Sequence, residues 1–255
     1  MTGLHSFARR WLVLVALAST PVAAAPAAKP TIVLVHGAFA DALGFQKLIP
    51  ILLRDGYEVT AVEIPLQSLD GDVATARRVI DAQTRPVVLV GHSYGGAVIT
   101  GAAAGSSKVK ALVYLAAFGP DSGEAVGALE EKYPVALNQA LKPDSAGFLY
   151  IDRSRLHEDF AADSSAEDAA IMAATQKPLS SSVFKASVPV AAWKTIPSWF
   201  VVSKRDRAIN PDLERFYAKR MGAHTTEIDA SHTAFISHPT EIAKVIEEAA
   251  AAAAK

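Results

Sequence analysis

Val87-Val88-Leu89-Val90-Gly91-His92-Ser93-Tyr94-Gly95-Gly96-Ala97 decides the fold. An apolar run ends in Gly-x-Ser-x-Gly and passes at once into small, helix-compatible residues. This is the form of a nucleophile elbow, a sharp strand-to-helix turn that pushes one serine hydroxyl out of a sheet. Ser93 at such a turn takes a strained backbone conformation, and side chains at 91 and 95 would collide with the neighbouring strand and helix. The turn also sets Ser93 and the N–H of Tyr94 at a helix N-terminus, where unpaired N–H groups favour a developing oxyanion.

Outward from the elbow, apolar runs alternate with helical periodicity. Strands are predicted over Thr31–His36, Glu58–Ile64, Pro86–Val90, Ala111–Phe118, Ser198–Val202 and Thr226–Ile228. Helices are predicted over Ala42–Asp55 (ending at Gly56), Asp72–Ala82, Ala97–Ala104, Pro211–Met221 and Glu241–Ala254. Continuous apolar strands separated by helices imply an α/β fold: a mainly parallel six-stranded sheet with helices on both faces. Right-handed crossovers then bring the carboxyl ends of the strands to one edge. The rhythm breaks over 121–194, which carries helical patterns, a Ser164-Ser165-Ala166-Glu167 capping box and the aromatics Tyr133, Phe148, Tyr150, Phe160, Phe184 and Trp193. This segment is expected to be a mostly helical lid inserted before the penultimate strand, with 26–120 and 195–255 forming the core.

The net charge of -1 and the absence of a Lys/Arg cluster argue against nucleic acid as a partner. With no cysteine, a disulfide scaffold, a thiol nucleophile and cysteine-ligated metal are excluded. No metal-ligand cluster is visible, and Gly37-Ala38-Phe39-Ala40-Asp41 lacks the glycine spacing that admits a dinucleotide, so no cofactor is expected. At the N-terminus, Arg9-Arg10, the apolar run Trp11 to Ala18 and the small residues Thr20-Pro21-Val22-Ala23-Ala24-Ala25 form the three-part pattern of a secretory signal peptide over 1–25. Cleavage is expected after Ala24 or Ala25, leaving a mature protein without a membrane span, in a periplasm or outside the cell. The oligomeric state is not legible.

A serine hydroxyl needs a base to accept its proton, and the base works best when a carboxylate orients it. In the elbow architecture these follow in chain order serine, acid, histidine, each on a loop after a strand. Asp206 lies just beyond the strand Ser198-Trp199-Phe200-Val201-Val202-Ser203, and His232 follows Thr226-Glu227-Ile228-Asp229. Ser93, Asp206 and His232 thus occupy three loops on one sheet edge, with Asp229 and Asp121 as alternative acids. His92 is read as the variable residue of the elbow, and His36 as a structural histidine that packs and hydrogen-bonds. The second oxyanion donor is expected in His36-Gly37-Ala38-Phe39, where Gly37 admits a close approach and leaves the N–H of Ala38 facing that of Tyr94. Phe39 and the lid aromatics, Trp193 among them, are expected around the substrate.

With those residues in place the chain resembles the α/β-hydrolase superfamily. Val33-Leu34-Val35-His36-Gly37-Ala38 through Gly56-Tyr57-Glu58-Val59-Thr60-Ala61-Val62 is similar to the plant methylesterase and hydroxynitrile lyase group. Asp206-Arg207-Ala208-Ile209 through Ser231-His232-Thr233-Ala234-Phe235 resembles small bacterial esterases. The resemblance implies a sheet without the first two strands of larger hydrolases, a Ser-His-Asp triad and no cofactor. Lyase members carry a threonine at the position of Gly37 and a lysine directly after the catalytic histidine, where this chain has Thr233. Dehalogenases need an aspartate where this chain has Ser93. The expectation is therefore an exported serine hydrolase cleaving a small-molecule carboxylic ester through an acyl-enzyme. Lactone, thioester or perhydrolysis chemistry on the same triad, and slow-turnover ligand binding, are the alternatives.

Overall fold

A computed structural model describes residue 2 and residues 28–254. The expected signal peptide and its cleavage point, Ala24 or Ala25, lie outside the described residues apart from Thr2.

The first half of the core supplies β1 (Thr31–Val35), β2 (Glu58–Val62), β3 (Val87–His92) and β4 (Val109–Leu115). The intervening helices are α1 (Ile49–Arg54), α2 (Leu69–Ala82) and α3 (Tyr94–Ala102). The lid follows, with α4 (Leu137–Ala140), β5 (Leu141–Pro143), β6 (Phe148–Ile151), α5 (Arg153–Phe160), α6 (Ala166–Thr175) and β7 (Leu179–Ser180). The chain then returns to the core through β8 (Ser198–Ser203), α7 (Pro211–Met221), β9 (His224–Ile228), α8 (Ala234–Ser237) and α9 (Pro239–Ala253). The core strands form one six-stranded sheet in the order β2-β1-β3-β4-β8-β9, every neighbouring pair parallel.

The alternation along each strand explains why both faces are covered. Val33 and Val35 of β1 join the cluster under α2, α3 and α7, where Ala76, Ile99 and Leu213 pack. Ile32 and Leu34 point the other way, into a second cluster with Leu52 of α1 and Ile242 and Ile246 of α9. A strand with two apolar faces is stable only between two helical layers. Among the described residues no helix is long and apolar enough to cross a membrane.

Three expectations are revised by local chemistry. The helix predicted over Ala42–Asp55 divides into a 3-10 turn, Ala42–Lys47, and α1, because Pro50 in the first turn of α1 has no N–H to continue the ladder. α2 starts at Leu69 rather than Asp72, since the Ser68 hydroxyl accepts the Gly71 N–H as an N-cap. The cap of α6 is Ser165, bonding the Asp168 N–H, and not Ser164 with Glu167. The lid also contains a small antiparallel sheet, β5-β6-β7, whose strands are too short to show alternation in sequence.

Candidate active site

β3 delivers Ser93 to the carboxyl edge of the sheet at φ 54° and ψ -123°, a conformation L-residues adopt only under constraint. The constraint is local crowding. A Cβ at position 95 would stand 2.5 Å from the Val35 carbonyl oxygen, and one at 91 would stand 2.6 Å from the Gly95 oxygen. The turn is fastened by Ser93 N–H to the Leu115 carbonyl (3.1 Å) and by the Phe118 N–H to the Ser93 carbonyl (3.1 Å). Ser93 Oγ makes no hydrogen bond among the described residues, and neither do the N–H groups of Ala38 and Tyr94. Two buried donors without acceptors beside a free hydroxyl are the arrangement an oxyanion needs.

Tyr94 is anchored through its side chain. Its hydroxyl donates to Asp72 Oδ2 at 2.7 Å, while Asp72 Oδ1 accepts the Leu66 N–H at 2.9 Å. Burial pushes the Asp72 carboxyl up and, with the neighbouring Asp72, pushes the Tyr94 hydroxyl up. The His36-Gly37 turn is pinned similarly: His36 Nδ1–H donates to the Gly37 carbonyl (2.8 Å), and Nε2 accepts the Ile64 N–H (3.1 Å). Acceptance at Nε2 requires neutral imidazole, and burial lowers its pKa, so His36 is a structural strut.

The loops after β8 and β9 bring Asp206 and His232 together. His232 Nδ1 donates to Asp206 Oδ2 at 2.5 Å, with both side chains buried. Asp206 Oδ1 accepts the N–H groups of Ala208 (2.6 Å) and Ile209 (2.9 Å), which fixes the carboxylate plane. With Nδ1 committed to the carboxylate, the lone pair lies on Nε2, which is buried and has no partner among the described residues. The His92 ring packs on the His232 ring, centroids 4.6 Å apart, so this imidazole lies beside the elbow. The alternative acids are engaged elsewhere: Asp229 pairs with Arg205 at the surface, and Asp121 with Lys194.

Four further side chains complete the setting. His92 Nε2 donates to the His232 carbonyl at 3.1 Å, and burial holds its pKa well down, so it is a neutral brace. Asp163 of the lid accepts the Ser231 N–H (2.8 Å), the Ser231 hydroxyl and the Ser237 hydroxyl (3.0 Å), gripping the loop on which His232 sits. Arg207, next to Asp206, pairs with lid residues Asp159 (2.9 Å) and Glu158 (3.0 Å). Glu214 of α7 is fully buried under the acid loop; one oxygen accepts the Ser203 N–H at 2.9 Å and the other has no donor. Burial, and then the adjacent Asp206 carboxylate, push the Glu214 carboxyl well above the usual range, so it is a neutral acid beside Asp206.

Two cavities meet at Phe39 and Phe160. One reaches Ser93 and Tyr94; the other, partly open to solvent, runs between the 3-10 turn and α6 past His92 and Thr233. Phe39 lines both cavities. Trp193 does not: it is absent from the walls of both cavities, and its Nε1–H is spent on the Pro120 carbonyl (2.9 Å) at the base of the lid, with Arg220 over the ring. Among the described residues no group of three or more His, Cys, Asp or Glu side chains could hold a metal ion.

Residues 32–245 match the alpha/beta hydrolase family. The chain belongs to that family. Methylesterase 2 of Arabidopsis thaliana is 27% identical over 221 residues, covering 74% of this chain and 82% of that one. The alpha-hydroxynitrile lyase of the same plant is 36% identical over 115 residues, 40% of this chain and 45% of the lyase. A pyrethroid hydrolase structure from Sphingobium faniae superposes with a TM-score of 0.75 at 23% identity, over 87% of this chain and 97% of that one. This likeness in structure concerns the fold. In alpha/beta hydrolases the reacting groups sit at the carboxyl edge of the sheet, where Ser93, Asp206 and His232 stand here.

Proposed function

We propose that this alpha/beta hydrolase is a serine carboxylesterase. Ser93 Oγ attacks the acyl carbon of an ester while His232 Nε2 takes its proton, and the amides of Ala38 and Tyr94 bind the oxyanion. The imidazolium returns that proton to the leaving alcohol, and water activated by His232 then releases the acid from the acyl-enzyme. Asp206 holds the imidazole tautomer and compensates the transient positive charge. The observation that carries this reading is the buried His232 Nδ1–Asp206 bond, which leaves Nε2 as a free base beside an elbow serine with an unengaged hydroxyl.

The chemistry at positions 37 and 233 supports hydrolysis over cyanohydrin cleavage. A Cβ at 37 would lie 2.7 Å from Ser93 Cβ, so this backbone does not admit a threonine without moving the elbow. Thr233 Oγ1 faces Ser164 Oγ at 3.4 Å and offers no cation to a leaving cyanide. Wild-type protein is expected to hydrolyse short p-nitrophenyl esters, and Ser93→Ala to lose about a thousandfold or more of kcat. Equal rates in the two proteins would overturn the mechanism. Export rests on Arg9-Arg10, the apolar run from Trp11 and the small residues before Pro26. Sequencing the N-terminus of protein recovered outside the cytoplasm should read from Ala25 or Pro26.

A further inference from the structure

The cavity that reaches Ser93 is walled by Phe39, Phe118, Phe160 and Phe184, with one charged side chain among its lining residues, Glu130. Glu130 enters from the lid, and no cation lines that cavity. The carboxyl makes no hydrogen bond or ion pair among the described residues and, on a half-buried residue, keeps some contact with solvent. Room for it comes from Gly127, where a Cβ would stand 2.9 Å from Glu130 Oε2 and 3.2 Å from Phe184 Cβ. Desolvation pushes the Glu130 carboxyl up to about 7, the mark of an acid turned into an apolar space.

A half-buried carboxyl without a protein partner, beside apolar walls, is open to a guest that can pair with it. Aromatic walls and one anion are complementary to a particular guest. An alkylammonium head satisfies the carboxylate by charge and the phenyl faces by cation–π attraction, while its methyl groups fill apolar volume. A hydroxyl would answer the carboxyl alone, and a hydrocarbon the rings alone. We propose that Glu130 and the surrounding phenylalanines form a subsite for a protonated alkylamine carried by the ester substrate, making Glu130 a specificity determinant. The inference rests on the esterase reading and narrows its substrate to cationic esters.

The test compares two isosteric pairs in which nitrogen replaces a branching carbon. Dimethylaminoethyl acetate is set against isoamyl acetate, placing the amine in the alcohol, and methyl isocaproate against its dimethylamino isostere, placing it in the acyl group. In at least one pair wild type should favour the amine by about tenfold or more in kcat/KM, mainly through KM. Glu130→Gln, which keeps the shape, and Glu130→Leu should each collapse that ratio toward one. A wild-type preference for the hydrocarbon in both pairs, or a ratio untouched by both variants, overturns the proposal while leaving the esterase reading in place. If no ester is cleaved in a Ser93-dependent way, the esterase reading fails instead. Calorimetry of dimethylaminoethyl acetate with Ser93→Ala protein then decides the subsite: binding lost on adding Glu130→Leu supports it, and absence of binding or binding indifferent to Glu130 overturns it.

Discussion

The elbow and the histidine loop present two halves of one reacting pair, yet they are held by different means. The elbow is internal to the core and is fixed by backbone: glycines at 91 and 95 against main-chain atoms, carbonyl and amide partners at and just past the end of β4, and no charged side chain in the turn. The histidine loop is held by side chains: Asp163 of the lid on Ser231 and Ser237, Asp206 on the ring, and His92 of the elbow on the His232 carbonyl. The acid loop is tied to the lid as well, through Arg207 and Asp159. Backbone packing tolerates almost no change, whereas side-chain latches can be loosened in steps. The nucleophile is therefore set by folding of the core alone, and the base by the core, through His92 and Asp206, together with the lid.

The sharpest way to break this comparison is to place a side chain in the elbow. Gly95→Ala drives a methyl group into the Val35 and His36 carbonyls, which are sheet backbone and cannot yield. The expected cost is about 3 kcal/mol of stability or more, with ester hydrolysis falling to background. Denaturant unfolding with an activity assay on the soluble fraction checks it. A Gly95→Ala protein of normal stability and activity would mean that the elbow is held by something other than close packing.

This contrast also governs what could be read in advance. The elbow, the strand alternation and the order Ser93, Asp206, His232 were legible because backbone geometry restricts which residues can occupy it. The latches were not, because an aspartate in a loop such as Asp163 looks the same whether it is solvated or grips a catalytic loop. Trp193 misled for a related reason: a lid aromatic packs against the lid base as readily as against a substrate. Glu214 did carry a signal. It shares a helical stripe with Tyr217, Ala218 and Met221, and an acid on an apolar stripe is a buried polar group awaiting a partner.

Releasing the lid latch should have a smaller effect than invading the elbow. Asp163→Ala leaves the N–H and hydroxyl of Ser231 without their acceptor, a loss of about 2 kcal/mol in hydrogen bonds to a charged group, partly returned by water. kcat should fall roughly tenfold to a hundredfold with little change in KM, because misplacing the base weakens proton transfer more than binding. The effect should depend on pH. Burial works to raise the Asp163 carboxyl, but the hydrogen bonds from Ser231 and Ser237 outweigh it and hold it below the usual aspartate range. Its contribution to stability is thus present above the unfolded-state value and lost as pH falls through the folded one. Wild type and Asp163→Ala should converge in thermal stability in strong acid and separate at neutral pH; a constant separation would remove the latch from the account.

The smallest expected effect sharpens the comparison from beneath the acid loop, where a latch is neither backbone nor lid. Glu214 is raised well above its usual range by burial and by Asp206, so it folds as the neutral acid. A group raised in the folded state contributes stability below its unfolded value and loses that contribution as pH climbs toward the folded one. Glu214→Gln keeps the shape and the acceptor for the Ser203 N–H but cannot ionise on unfolding. The variant should therefore match wild type near pH 4, exceed it in thermal stability at neutral pH, and keep its kcat within about twofold. Glu214→Leu removes the hydrogen bond and should lower kcat, with the Gln variant restoring it. Thermal melts across pH, with ester kinetics on all three proteins, separate the outcomes. A Gln variant less stable than wild type at neutral pH would mean that Glu214 is charged in the fold, and that an ion rather than a neutral acid lies beneath Asp206.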